Sequence, residues 1–164
     1  MIKGLILRRG EPFYSAFGKL FENLPQLSTE YNWLISHPQC YPQTPDFAKI
    51  LEGSYAWLTG KQLTEMLRQE DFQWIWGVLS AFPTTISPEA VLRFPLPDGE
   101  NGAAYWNNPI AFLHPLAEVE FGAFDSSCTV FLGKSAPLME EISRLYPLAE
   151  DLEEYNRSEE NSGY

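Results

Sequence analysis

The segment Phe72–Phe82, with the sequence FQWIWGVLSAF, constrains the fold more than any other part of the chain. Apolar residues occupy both sets of alternating positions, so a β-strand built from it has two apolar faces. The alternation predicts one face made of Phe72, Trp74, Trp76, Val78 and Phe82, and an opposite face made of Ile75, Leu79 and Ala81. Both faces of such a strand must be covered. We therefore predict an interior strand of a sheet that other elements sandwich.

The charge of the chain restricts its partners. Twenty-two acidic residues against eleven basic ones give a formal net charge of −11 over 164 residues. A surface this negative repels nucleic acid and anionic membrane and attracts cationic molecules. No apolar stretch approaches the roughly 20 residues that span a bilayer. We expect neither nucleic acid nor membrane as a partner; the alternative interpretation is that the charge only keeps the protein soluble.

The two cysteines indicate the compartment. Cys40 and Cys128 lie far apart, and the apolar run near Met1 is too short for the hydrophobic region of a secretory signal. The sequence therefore predicts a cytoplasmic protein with two reduced thiols.

Hydrophobic spacing and turn residues predict a single α+β domain over residues 1–156, with about five mostly antiparallel strands covered by helices. Residues 157–164 are expected to form an acidic, frayed tail. The strands are expected at residues 2–7, 31–35, 72–82, 117–124 and 129–132, the last two as a hairpin. Helices are expected to begin at Pro12, Thr59, Ser87 and Pro137, with a short one around Tyr155. Thr59 and Gln62 have the spacing of a capping box, and residues 94–116 are punctuated by proline and have little periodicity.

The sequence contains no recognisable catalytic signature. It lacks GxGxxG, GxxxxGK[ST], GxSxG, HExxH and CxxC motifs, so we predict no catalytic residue, no cofactor and no metal ligand. His37 and His114 each precede proline, and we interpret both as loop histidines, although Cys40 could pair with either as a nucleophile and base. Asp125-Ser126-Ser127 is interpreted as the turn of the hairpin.

Binding residues are sought on the strand at 117–124. Glu118 and Glu120 share one of its faces and would form an acidic patch if that face were open, and Asp125 could extend it. Trp106, next to a loop, is the candidate aromatic anchor of the same partner-binding surface. The alternative interpretation is a solvated strand face without function.

The segments YNWLI at 31–35 and WIWGVLS at 74–80, with the hairpin at 117–132, resemble those of small uncharacterised bacterial proteins, some of toxin-immunity type. The resemblance implies no particular site residues. Together with the charge it favours a non-catalytic protein that binds and masks a basic partner such as a toxin. Two alternatives remain: a small-ligand-binding domain or enzyme whose site lies under the 94–116 loop, lined by Tyr105, Trp106 and His114, and a homo-oligomer that buries the apolar face of the hairpin.

Overall fold

The computed structural model describes residues 1–11 and 15–161. Within them, seven strands form one antiparallel sheet in the order β3-β2-β4-β5-β6-β1-β7. The strands are β1 (Lys3–Leu7), β2 (Tyr31–Cys40), β3 (Tyr55–Thr59), β4 (Trp74–Pro83), β5 (Val119–Phe124), β6 (Cys128–Gly133) and β7 (Glu150–Asp151). The mixed helix-and-strand fold is confirmed, and the expected number of five strands is too low.

Eight α-helices lie in the described part of the chain. They are α1 (Gly18–Asn23), α2 (Gln26–Thr29), α3 (Pro45–Ile50), α4 (Gly60–Gln69), α5 (Pro88–Val91), α6 (Ala103–Trp106), α7 (Ala136–Leu145) and α8 (Leu152–Asn161), and a 3-10 turn covers Gly99–Asn101. The expected helix start at Pro12 lies outside the described residues. Helix α8 continues to Asn161, so the predicted tail boundary at residue 157 falls inside a helix.

Helices cover one face of the sheet, here called the helical face. Residues of α1, α2, α4 and α7 pack there against the inward-facing side chains of the strands. Trp33, Phe121 and Phe131 form its centre, with ring centroids 5.4 Å apart for Trp33 and Phe121 and 5.5 Å apart for Phe121 and Phe131. Each of the three is at most 1% exposed.

Residues 84–116 and helix α8 cover the opposite face, here called the loop face. Tyr105, Ile110 and Leu152 pack there on β1 and β6, and Val91 packs on Leu34 and Phe82 of the neighbouring strands. Buried Asn156 of α8 donates from Nδ2 to the Tyr105 carbonyl at 2.9 Å and to Asn108 Oδ1 at 3.1 Å. The irregular segment is thus a structural layer of the domain.

Strand β4 lies between β2 and β5, so the predicted interior strand is confirmed. The predicted alternation of its side chains is wrong. Cys40 pairs with Trp74 and Gln39 with Trp76, which leaves Ile75 without an opposite residue in a β-bulge. The bulge changes the parity of the strand, so Phe72 and Trp74 lie on the helical face with Leu79 and Ala81, while Trp76 and Phe82 lie on the loop face.

Several local predictions are confirmed by hydrogen bonds. Gln62 N donates to Thr59 Oγ1 at 3.1 Å and Thr59 N donates to Gln62 Oε1 at 2.9 Å, which completes the capping box. Ser87 caps α5 through its hydroxyl, which accepts from Ala90 N at 3.2 Å. Asp125 and Ser126 have φ values of 50° and 57°, and Ser127 N donates to the Phe124 carbonyl at 2.9 Å. These are the properties of a hairpin turn of the type I′ class.

The hairpin of β5 and β6 lies in the interior of the sheet, flanked by β4 and β1. All six residues of β5 and five of the six in β6 are buried within the chain. The prediction that a second copy covers an apolar face of the hairpin is therefore wrong, because this chain already covers both faces.

Candidate functional site

The carboxylate of Glu120, expected on an open strand face, lies in the interior of the loop face. Its side chain is 0% exposed. Oε1 accepts from the Tyr105 hydroxyl at 2.8 Å and from Leu113 N at 2.7 Å. Oε2 accepts from the Ser80 hydroxyl and from His114 N, both at 2.9 Å. The expectation of an exposed carboxylate at Glu120 is therefore wrong, because residues 84–116 cover this face.

Burial and hydrogen bonding have opposite effects on the pKa of Glu120. Burial raises the pKa of Glu120 from its ordinary 4.5 to about 7, although the four hydrogen bonds that it accepts lower it. Burial also raises the pKa of Tyr105 well above its usual value, and the adjacent carboxylate adds to this effect. The two hydroxyls can rotate and accept instead of donate, so the cluster can hold Glu120 in either protonation state.

His114 belongs to the same buried layer. Its ring is 0% exposed, with Nε2 2.9 Å from the Val91 carbonyl, while Leu116 N donates to Nδ1 at 3.1 Å. A ring that accepts at Nδ1 and donates at Nε2 is neutral, and burial lowers the pKa of His114. Glu120 thus fastens residues 84–116 to β5, while the His114 ring joins Val91 and Leu116 within that segment.

The pocket expected between the sheet and the 94–116 loop is not lined by Tyr105, Trp106 and His114. Tyr105 and His114 are both fully buried, and their polar atoms bond to protein groups. Trp106 is half-buried and packs on Phe124 and Tyr155, with ring centroids 5.1 Å and 6.4 Å away. These three side chains therefore pin the loop to the sheet.

A small cavity does lie between the sheet and residues 98–100 of this loop, at the end of the sheet where β2 finishes and β4 begins. Its volume is about 150 Å³, and we call it the sheet-end cavity; it is lined by Ser36, His37, Gln39, Trp76, Gly77, Asp98, Gly99 and Glu100. His37 and Pro38 on β2 together oppose the single residue Gly77 on β4, and His37 has a φ of 47°. This second bulge pushes β2 outward and makes room beside Trp76.

The turn at residues 98–101 forms the other wall of the sheet-end cavity. Asp98 Oδ1 accepts from Glu100 N at 3.1 Å, and Asp98 Oδ2 accepts from the Asn101 side chain at 2.6 Å. The hydrogen bond from Asn101 is the main cause that lowers the pKa of Asp98. Asp98 therefore carries a negative charge at neutral pH. A Cβ atom at Gly99 would make ordinary van der Waals contact with the sheet, 3.4 Å from the Phe124 ring and 3.6 Å from Val78.

Two of the predicted binding residues lie at this end of the sheet. Asp125 is exposed in the hairpin turn, and Ser126 N donates to the Ile75 carbonyl at 3.2 Å, which holds the turn beside Trp76. Trp106 reaches the same area through Phe124, whose ring centroid lies 5.9 Å from that of Trp76. No local pattern in the sequence predicts that Ser36, Asp98 and Glu100 lie at the same end of the sheet.

Glu118 lies at the opposite end of β5. Its backbone N donates to the Ala81 carbonyl at 2.9 Å, and its side chain is half-buried. Seven residues of extended chain separate it from Asp125, roughly 23 Å at about 3.3 Å per residue. The expected acidic patch of Glu118, Glu120 and Asp125 is therefore wrong as a continuous surface.

The cysteines lie on opposite faces of the sheet and form no disulfide. Cys40 packs against the helical face and Cys128 against the loop face. Burial raises the pKa of the Cys40 thiol to about 12 and also raises that of Cys128. Both thiols are protonated at neutral pH, and Cys40 lies on the other face from buried His114, so the structure does not assemble that Cys–His pair.

Within residues 1–11 and 15–161, no cluster of three or more His, Cys, Asp or Glu side chains could hold a metal ion. In the same described ranges, none of the helices combines the length and the apolar character needed to cross a membrane. No protein-family model matches the chain, and neither a curated protein nor a solved structure shows significant similarity to it.

Proposed function

We propose that this protein is a non-catalytic binding protein that covers a basic surface of a partner protein, in the manner of an immunity-type inhibitor that masks a toxin. The supporting observation is the group of side chains around the sheet-end cavity. We call it the sheet-end surface: Trp76, Trp106, Asp98, Glu100 and Asp125. It combines two half-buried indoles with three acids that are at least partly exposed.

The acids of this surface are available to a partner. The salt bridges of the described residues join Arg8 to Glu150, Lys19 to Glu11 and Arg68 to Glu65. Within that part of the chain, no Lys or Arg forms a salt bridge with any acid of the sheet-end surface. Unpaired acids attract a basic partner without first breaking an internal ion pair.

Each type of residue has its own part in the proposed mechanism. The net charge of −11 steers a basic partner toward the protein and raises the association rate. Half-buried aromatic side chains then supply the apolar contact that slows dissociation, since Trp is enriched among the residues that dominate binding energy. The resemblance to toxin-immunity proteins suggests a toxin as the masked partner, and the unbridged thiols favour the cytoplasm as the compartment.

The test compares two variants with equal charge changes. Glu100→Lys/Asp125→Lys reverses two acids of the sheet-end surface, and Glu30→Lys/Glu140→Lys reverses two exposed acids elsewhere. Each purified protein is used as bait in lysate of the source cell at low and moderate salt, and captured proteins are identified by mass spectrometry. We expect the wild type and the control variant to capture the same basic protein, with capture decreasing as salt rises.

The surface variant should lose that protein. Equal capture by all three baits would refute the assignment to the sheet-end surface. Capture of proteins without a basic excess, or independence of salt, would refute the charge-steered mechanism.

A further inference from the structure

The hydroxyl of Ser36 is buried and has no hydrogen-bond partner among residues 1–11 and 15–161. Ser36 is 0% exposed and pairs with Val78 across the sheet, on the loop face that Trp76 also occupies. It lines the sheet-end cavity. The next amide of its strand, His37 N, donates instead to the Ser54 carbonyl at 2.7 Å. Because buried hydroxyls nearly always have a partner, an unpaired one at a cavity wall points to a ligand atom.

The charge of the cavity determines whether it binds a cation or an anion. Asp98 is held ionised by its hydrogen bonds from Glu100 N and Asn101, and each of its oxygens can accept a further hydrogen bond. The exposed side chain of Glu100 lies beside it, and the wall contains no Lys or Arg. The wall also contains His37, whose electrostatic interaction with Asp98 is a minor cause of the lowered pKa of Asp98, and the neutral side chain of Gln39. The cavity therefore favours a cation with several N–H donors.

The size of the cavity and its aromatic wall further restrict which cations can bind. The cavity of about 150 Å³ corresponds to about five water molecules. That space matches a guanidinium group with two methylene carbons. The half-buried indole of Trp76 forms one wall. A planar guanidinium stacks on an indole while its fork of donors reaches a carboxylate and a hydroxyl at once. An ammonium ion is more strongly hydrated and cannot stack in this way.

Building on the proposed function, we propose that the sheet-end cavity receives the side chain of an arginine of the partner protein. Its guanidinium donates to Asp98 and to the Ser36 hydroxyl and stacks on Trp76. Glu100, at the exposed rim, attracts the same side chain from solvent. The sheet-end surface thus reads one residue of the partner, in addition to its overall charge.

The test uses purified ¹⁵N-labelled full-length protein and a defined probe, N-acetyl-arginine N-methylamide. We expect saturable chemical-shift changes of the Gly77 and Gly99 amides and the Trp76 indole N–H, with a dissociation constant on the order of millimolar for so small a ligand. The citrulline analogue has nearly the same shape without the charge, and the lysine analogue has the charge without the planar fork. Both should bind about tenfold more weakly, the loss expected for one hydrogen bond to a charged group.

Variants locate the site. Ser36→Ala removes a hydroxyl without a partner, so the fold is preserved while arginine binding falls about tenfold. Asp98→Asn keeps an oxygen for Glu100 N and should lower binding further. Glu30→Gln is the control, because it removes one exposed charge outside the sheet-end surface and should leave probe binding within about twofold at physiological salt.

The outcomes separate this inference from the proposed function. Absence of saturable shifts at Gly77, Gly99 and Trp76, equal binding of the citrulline or lysine analogue, or unchanged binding by Ser36→Ala would each overturn the arginine site. Loss of partner capture in Glu100→Lys/Asp125→Lys would still support the binding function in those cases. Conversely, arginine-selective binding with no basic partner captured would support the cavity and refute the wider proposal.

Discussion

The buried carboxylate of Glu120 makes a sharp prediction about stability. Its pKa in the folded state is raised to about 7 by burial, whereas in the unfolded chain it returns toward 4.5. Between these values the folded state binds the proton more tightly than the unfolded state does. The free energy of unfolding must therefore fall as pH rises through this window and level off above pH 7.

The size of the effect follows from the difference in pKa. One pKa unit corresponds to about 1.4 kcal/mol, so the change from 4.5 to about 7 corresponds to about 3 kcal/mol lost between pH 4.5 and pH 8. Glu120→Gln removes the titration and nearly preserves the volume. In this variant a side-chain NH₂ group replaces one carboxylate oxygen and therefore faces a backbone N–H, either that of Leu113 or that of His114. Because two donors then oppose each other, the variant is less stable than the wild type at acidic pH.

The assay is urea unfolding of the wild type and Glu120→Gln at half-unit steps from pH 4.5 to pH 8, followed by tryptophan fluorescence. We expect the stability advantage of the wild type to shrink by about 3 kcal/mol as pH rises. Glu118→Gln, which removes a half-buried carboxylate outside this cluster, controls for the general loss of negative charge. An advantage that stays constant would refute the reasoning. An advantage that grows with pH would show that the four hydrogen bonds outweigh burial.

Two further predictions concern the start of α4. Thr59→Ala removes the hydroxyl that accepts from Gln62 N and should lower the free energy of unfolding, measured by urea unfolding, by about 1 kcal/mol. Thr59→Ser keeps a hydroxyl and should retain most of the wild-type stability. No loss of stability in Thr59→Ala would contradict the capping role. Gly60→Ala would gain helix propensity on an exposed helix, but here its Cβ would collide with the carbonyl oxygens of Ser28 and Tyr31. We expect a loss of about 1–3 kcal/mol and a lower thermal midpoint, and a stabilised variant would show that α2 and α4 can separate freely.

Local signals in the sequence were sufficient for much of the fold. The capping box at Thr59, the serine–proline start of α5 and the tight turn at Asp125 each depend on residues within four positions of one another. Such features follow from local hydrogen bonding. The two-sided burial of β4 also follows from its composition, because no other environment suits so apolar a strand.

Features that depend on distant residues were missed. The bulge at Ile75 arises from pairing with Gln39 and Cys40, and no local pattern in β4 marks it. Strand β3 has only five residues and ends at the cap of α4, so its short alternation is hidden by the stronger helix signal. Glu120 alternates like a solvent-facing residue, because periodicity shows which face a side chain occupies but not what covers that face.

The candidate site could be predicted only in part. Two residues of the predicted set, Asp125 and Trp106, lie at the sheet-end surface. They could be predicted because turns and indoles next to loops are surface positions in most folds. The lining of the cavity comes from residues 36–39, 76–77 and 98–100, which only the sheet brings together. The decisive observation, the unpartnered hydroxyl of Ser36, has no counterpart in the sequence.

The covering layer formed by residues 84–116 has a buried part, which is fastened to the sheet, and an exposed part, and the two tolerate substitution differently. Tyr105 and His114 are fully buried, so substitutions there lower the stability of the whole domain. Glu100 lies on an exposed turn and can be exchanged with little effect on folding, whereas Asp125 has a φ of 50°, which favours Asp, Asn or Gly. Substitution of Glu100 can therefore change the charge at the rim of the sheet-end cavity while the fold stays the same.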